Sequence, residues 1–434
     1  MASRSPQSLI IRTYQVGFGD CFLLSFKYAS GDRHVLIDFG STGLPKNGSV
    51  GLMRKVAKAI ENDCGKKLHA VVATHRHKDH ISGFATSKKK NGTGDLIASL
   101  KPDIVIQPWT ENPKLKRDAT GPGKTKAPAG GKRLYVSSLS ELQEFTEFAL
   151  DNLNAFSGMI ESSLLNELTF VGDDNLKNRS AIDNLITMGK NGKGRYVYFG
   201  SKSGLEKILP GVKVSVLGPP TLQQSKEIKS QRAKDPNEFW QLRQLQEFGP
   251  GSGHRRRLFK SARIAKNPIY ARWFREQAAR VHAESLLSMV RILDDAMNNT
   301  SVILLFEVAG KAFLFPGDAQ IENWSYALKK KAICNRLKKV KVYKVGHHGS
   351  LNATPKASLW PLIAGARKTA NPQLVTLLST LAGKHGNKSR GTEVPRQLLL
   401  KELEEKSQLT ATNTFKAGEL RRPVTISLRS RKRK

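Results

Sequence analysis

Short apolar runs rich in β-branched residues recur along the chain, and three of them stop at histidines and aspartates, residue types able to bind cations. LHAVVAT (Leu68 to Thr74) runs into HRHKDHISG, AFLF into PGDAQ, and VKVYKV into GHHGS. Each run has the length and composition of a buried strand. A chain written this way has to carry its polar clusters at strand ends, where a rigid sheet positions a loop. Of ten histidines in 434 residues, three fall between His75 and His80. Residues two apart in extended chain point the same way, so His75 and His77 can hold one ion together. Asp79 and His80 follow where the chain turns towards a helix, within reach of a second ion. Imidazole and carboxylate in this mixture suit zinc, manganese or iron better than calcium. A solvated loop is the plain alternative, and the scarcity of histidine elsewhere weighs against it.

The flanking sequence predicts alternating strands and helices. SLIIRTYQV and CFLLSFKY read as strands around the tight GFGD turn, and HVLIDFG (His34 to Gly40) as a third. Apolar positions at helical spacing over Gly51 to Asp63 predict an amphipathic helix before LHAVVAT. Strand, helix and strand in succession argue for an α/β layered fold. From about Lys88 to Arg133 the chain turns polar and reads as a basic loop. GPGKT within it lacks both the earlier glycine and the preceding strand of a phosphate-binding loop. Helices are expected over Ser140 to Phe156, Glu227 to Glu247, Arg257 to Met297 and Ile321 to Lys331. VKVSVLGPP and VTISL read as strands, and SVILLFEVAGKAFLFPGD as a hairpin.

Charge narrows the partners. Seventy-two Lys and Arg face 36 Asp and Glu, a formal charge of +36. Such an excess implies a polyanion, most often nucleic acid and less often an acidic membrane. It concentrates in Arg255, Arg256, Arg257, Lys260, Arg263, Arg272 and Arg275, which read either as a solvated helix face or as a surface laid against phosphates. The tail RSRKRK adds non-specific attraction. No apolar run of membrane-spanning length is present. The three scattered cysteines, Cys21, Cys64 and Cys334, fit a reducing compartment, and a cytoplasmic protein is expected.

THRHKDHISG resembles the HxHxDH signature of the metallo-β-lactamase superfamily. HVLIDFG and PGDAQ are similar to two further motifs of that family. VGHHGS, VGFGD (Val16 to Asp20) and NNTS (Asn298 to Ser301) more narrowly resemble the soluble hydrolase domain of ComEC-type competence proteins, over about 1–110 and 295–400. The resemblance implies an αββα sandwich with its metals between sheet edges. The chain would then divide into a first part of that fold (1–220), a helical basic insertion (221–297) between the second and fourth metal motifs, a second part (298–425) and a basic tail (426–434). It implies two divalent ions, Zn²⁺ or Mn²⁺: one on His75 and His77, the other on Asp79, His80 and His347, with Asp318 bridging and Asp38 supporting from behind. Singly, Asp318 also fits a turn or a helix N-cap. Water held by both ions would become the nucleophile, oriented by Asp79. His348 and Ser350 would contact a phosphate or protonate the leaving oxygen. Two departures stand out. Asn298, expected with Asp38 behind the ligands, comes where another metal-binding histidine would stand, and His254 lies in a Gly- and Arg-rich loop. His385 is followed by Gly386, with no adjoining proline, and is a further site residue to test.

The expected function is a phosphodiesterase or nuclease acting on DNA or RNA. A hydrolase of peptides or small esters is the first alternative. A non-catalytic subunit binding nucleic acid or a protein partner, for instance in bacterial defence, is the second. Fold alone does not choose among them.

Overall fold

The computed structural model describes residues 5–45, 51–115, 119, 121–122, 178–229, 235, 238, 297–365, 373–386 and 393–429. His254, the basic residues from Arg255 to Arg275, the helices expected over 140–156 and 257–296, and residues 430–434 lie outside them.

The chain is an α/β protein built on two mixed sheets. Strands β1 (Ser8–Tyr14), β2 (Cys21–Tyr28) and β3 (Gly31–Phe39) form an antiparallel meander. Helix α1 (Leu52–Asp63) then crosses to β4 (Ala70–Val72), parallel to β3. After α2 (Lys78–Ile81) and α3 (Thr93–Ser99) come β5 (Ile104–Pro108), α4 (Arg179–Asn191) and β6 (Lys193–Val197). A short α5 (Leu205–Ile208) leads into the second sheet. That sheet opens with β7 (Lys213–Gly218), β8 (Ile303–Val308) and β9 (Lys311–Phe315), paired antiparallel. It continues through α6 (Ile321–Leu328) and α7 (Lys331–Leu337) to β10 (Val340–Lys344), then α8 (Trp360–Ala364) and β11 (Val375–Leu378). Helix α9 (Gln397–Lys406) precedes β12 (Gln408–Ala411), and β13 (Arg421–Ser427) returns to the first sheet. The orders are β13-β1-β2-β3-β4-β5-β6 and β12-β11-β10-β9-β8-β7.

Burial explains the layering. Leu9, Ile11, Phe22, Phe26 and Ile37 of the first sheet pack on Val214, Phe306, Phe313, Phe315 and Val342 of the second, in one apolar interface. The opposite face of the first sheet (Leu23, Leu36, Val71, Val105) covers Val56 and Ile60 of α1, Ile97 of α3 and Leu185 of α4. The outer face of the second sheet (Ile303, Leu305, Leu314, Tyr343) is covered by Trp324, Leu337, Trp360, Leu399 and Leu403 of α6 to α9. The result is helix, sheet, sheet, helix. Strands sandwiched this way lose the polar alternation of one-sided sheets, which is why IVIQP of β5 is buried throughout.

Two boundaries differ from the sequence expectation. The window from Lys88 to Arg133 is not loop throughout, since α3 and β5 occupy 93–108 and β5 is an interior strand. Its polar flanks hid a five-residue buried run. The first and second parts also interlock: β7 belongs to the second sheet and β13 pairs with β1, Ser8 opposite Ser427.

Candidate metal centre

The carboxyl ends of parallel strands β3 and β4 in one sheet, and of β9, β10 and β11 in the other, converge on one cluster. Such ends are where ligands gather in parallel sheets. Backbone contacts fix the loops to one another. The Asp20 N–H donates to the Asp79 carbonyl (2.8 Å), and the Gly40 N–H to the Asp20 carbonyl (3.1 Å). Gly40 is glycine for a steric reason: a Cβ there would lie 2.4 Å from the Asp79–His80 peptide.

Asp38 organises the end of β4. Its Oδ1 accepts the Thr74 N–H (2.7 Å), and its Oδ2 accepts both the Thr74 hydroxyl (2.7 Å) and the His80 Nδ1–H (2.8 Å). With Nδ1 so engaged, His80 presents Nε2 to the Asp318 Oδ2, 2.9 Å away. Such a partner behind a ligand fixes its tautomer and orientation. His348 repeats the device: its Nδ1–H donates to the Ser379 carbonyl (2.9 Å) and its Nε2 meets the Asp79 Oδ2 (2.9 Å).

Asp79, His80, Asp318 and His348, all buried, thus bring four ligand atoms within 4.8 Å of one another. His75, His77 and Asp79 form a second group, so Asp79 is shared. The His75 Nε2 and His77 Nδ1 face each other at 3.0 Å. Burial lowers His75 well below its ordinary pKa and brings His77 down to about 4, leaving both rings neutral with lone pairs to give. Burial would lower His80 as well, but the Asp318, Asp79 and Asp38 carboxylates outweigh it and hold the ring raised. Asp79 is held low by His80 and His348 against the upward push of burial.

Two groups were not singled out from sequence. Lys344, buried at the end of β10, donates to the Gly317 carbonyl (2.9 Å) and Asp318 Oδ1 (3.0 Å) and pairs with Asp20. Burial alone would lower its pKa, but both carboxylates hold it above the ordinary value, so the ammonium is a fixed charge. Asp20, fully buried, lies 3.6 Å from His348 and 3.7 Å from His80. VGFGD marks Asp20 as a motif residue, whereas one lysine among 72 basic residues carries no mark beyond its place before GHHGS.

The histidine pair is placed in the opposite sense to its expected roles. His348, expected at the phosphate, belongs to the four-residue group, while His347, expected as a ligand, is absent from each such group and gives its backbone N–H to Asp318 Oδ1 (3.0 Å). Both have left-handed backbone, φ 43° and 53°, a conformation costly for residues with a Cβ. The turn they make sends His348 inward. Asp38 shares the feature at φ 56°, so three of seven such non-glycine residues in the described chain belong to this site. The Ser350 hydroxyl is buried without a hydrogen-bond partner. Asn298 is fully buried, its amide oxygen and nitrogen also unpartnered, on the turn whose Ser301 Oγ accepts the Asp318 N–H (3.2 Å). The His385 ring packs tilted against Phe18 at 4.1 Å, and Phe18 likewise against His348 at 4.3 Å, which puts His385 one ring away from the cluster. Burial lowers it to about 3.

The donors fit divalent cations. Four acidic side chains (Asp20, Asp38, Asp79, Asp318) are buried beside the Lys344 ammonium and two histidines, His80 and His348, which these carboxylates hold above their ordinary pKa. Buried charge persists when it is paired or coordinates metal. The Asp79 Oδ1 is buried with no hydrogen-bond donor, as a ligand oxygen would be. No family model matches the sequence, and no curated protein matches it.

Proposed function

We propose that the protein is a metal-dependent hydrolase with a metallo-β-lactamase-type sandwich, acting as a phosphodiesterase on DNA or RNA. The observation that carries this reading is the pair of buried nitrogen–oxygen groups sharing Asp79 at the edge where two sheets meet. The helix–sheet–sheet–helix layering supports the fold assignment. The +36 charge supports a polyanionic substrate over a neutral ester or peptide.

In this reading His75, His77 and Asp79 would hold one ion, and Asp79, His80, Asp318 and His348 the other. Bound divalent zinc or manganese would supply Lewis acidity towards phosphoryl oxygens and water. The chain's own contribution is positioning. Asp38 and the Ser379 carbonyl set the two histidine tautomers. Lys344 and the His347 N–H occupy Asp318 Oδ1, which leaves Oδ2 facing His80. The unpartnered Ser350 hydroxyl is available to a phosphate oxygen.

The test is cleavage of single- and double-stranded DNA and RNA with Mn²⁺ or Zn²⁺, comparing wild type with Asp79→Ala and His348→Ala. Degradation absent from both variants, and falling steeply with salt, is expected. Binding of every polymer with no cleavage under either metal would sink the nuclease and favour a binding subunit.

A further inference from the structure

An open groove of about 750 Å³ lies at the other end of the first sheet from the metal centre. It is formed where the chain enters β5 and β6, beside α4 and α5, and it includes Lys67, Lys101, Asp103, Lys193, Arg195 and Lys207. The metal ligands follow β4 at its carboxyl end, whereas Lys67 precedes it. At ~3.3 Å per residue of strand the two places are roughly 20 Å apart.

Among the described residues, charge around this groove is uncompensated. The one acid that lines it there, Asp103, is already taken by Lys67, 2.7 Å away. Lys101, Lys193, Arg195 and Lys207 are exposed, and none forms an ion pair among the described residues. Four like charges around one hollow repel one another, so an anion there would be stabilised by all four. No aromatic ring lines the groove among the described residues, so it lacks the stacking platforms that hold bases. Its chemistry suits phosphates strung along a backbone, read without regard to sequence. Among the described residues β6 is the last strand of its sheet.

We propose that this groove is a second nucleic-acid site, which holds the phosphate backbone of a strand away from the metal centre. It rests on the functional reading for the identity of the polymer, but its test is one of binding alone. Affinity for fluorescein-labelled 20-mers of DNA and RNA would be measured by anisotropy in EDTA, across a salt series. The full chain would be compared with Lys193→Glu/Arg195→Glu/Lys207→Glu. A control, Lys331→Glu/Lys338→Glu/Lys339→Glu, makes the same change in net charge at exposed positions on and after α7.

The groove variant is expected to bind about tenfold or more weakly, with its log–log salt slope reduced by about 2. The control should change much less. Equal weakening in both variants would reduce the effect to bulk charge and overturn the proposal, as would unchanged binding by the groove variant. Hydrolysis of bis(p-nitrophenyl) phosphate with Mn²⁺ separates this proposal from the catalytic one. A wild type that fails to hydrolyse that small diester counts against the hydrolase, while the anisotropy comparison still decides the groove. A groove variant that folds with an unchanged melting temperature yet loses small-diester hydrolysis would show that the groove is not a separate site, and would overturn the proposal.

Discussion

Asp38 is the residue on which the most site geometry depends, because one carboxylate orders both the end of β4 and the His80 ring. Asp38→Asn would turn one acceptor towards its neighbours into a donor. Metal affinity should fall by about 10–100-fold with the fold retained, as equilibrium dialysis with Mn²⁺ or Zn²⁺ and a thermal melt would register. The two adjacent histidines give a sharper contrast. His348→Ala should remove bound metal while His347→Ala leaves most of it, and equal losses would return His347 to the ligand set. Sequence could not separate them, because the left-handed turn, and not the order of residues, decides which ring faces inward. The HxHxDH segment was legible for the converse reason. It follows an apolar run whose strand end fixes where the loop must go. Lys344 was beyond reach, since a buried lysine shows itself only by its partners, whereas VGFGD marked Asp20 without giving its role.

At the scale of elements, the opposite ends of β3 and β4 carry their own titratable pair. The His34 N–H donates to His69 Nδ1 (3.1 Å), while the His34 ring meets the Ser25 hydroxyl (2.9 Å). Burial pushes each ring down to about 4. A histidine whose pKa is depressed by folding binds its proton more readily unfolded, so its contribution to stability is full above ~6.5 and is lost as pH falls through 4. The melting temperature should therefore hold above about pH 7 and drop towards pH 4.5. His69→Gln keeps an acceptor and should flatten that drop; an identical profile in the variant would refute the assignment. The strands themselves were readable where the apolar run was long, as in β1 to β3. β5 was not, because five buried residues between polar flanks give too short a signal to outweigh their surroundings.

For the whole molecule, β13 ties the end of the described chain to its beginning. It pairs with β1 from Ser8 to Tyr14, and Asp63 of α1 gathers Tyr14, Arg12 and Arg421 beside it. Ending the chain at Leu420 would leave β1 as an open edge, a template for pairing with other chains. Such a protein should melt several degrees lower and aggregate in light scattering, with the residues of the candidate centre untouched in sequence. The cluster itself is gathered from segments reaching from Asp20 to Ser379. During synthesis, then, an emerging chain has no assembled centre until the segment carrying Ser379 has left the ribosome. Whatever chemistry the centre performs is withheld from every shorter intermediate, so the timing of activity is written into the path of the chain.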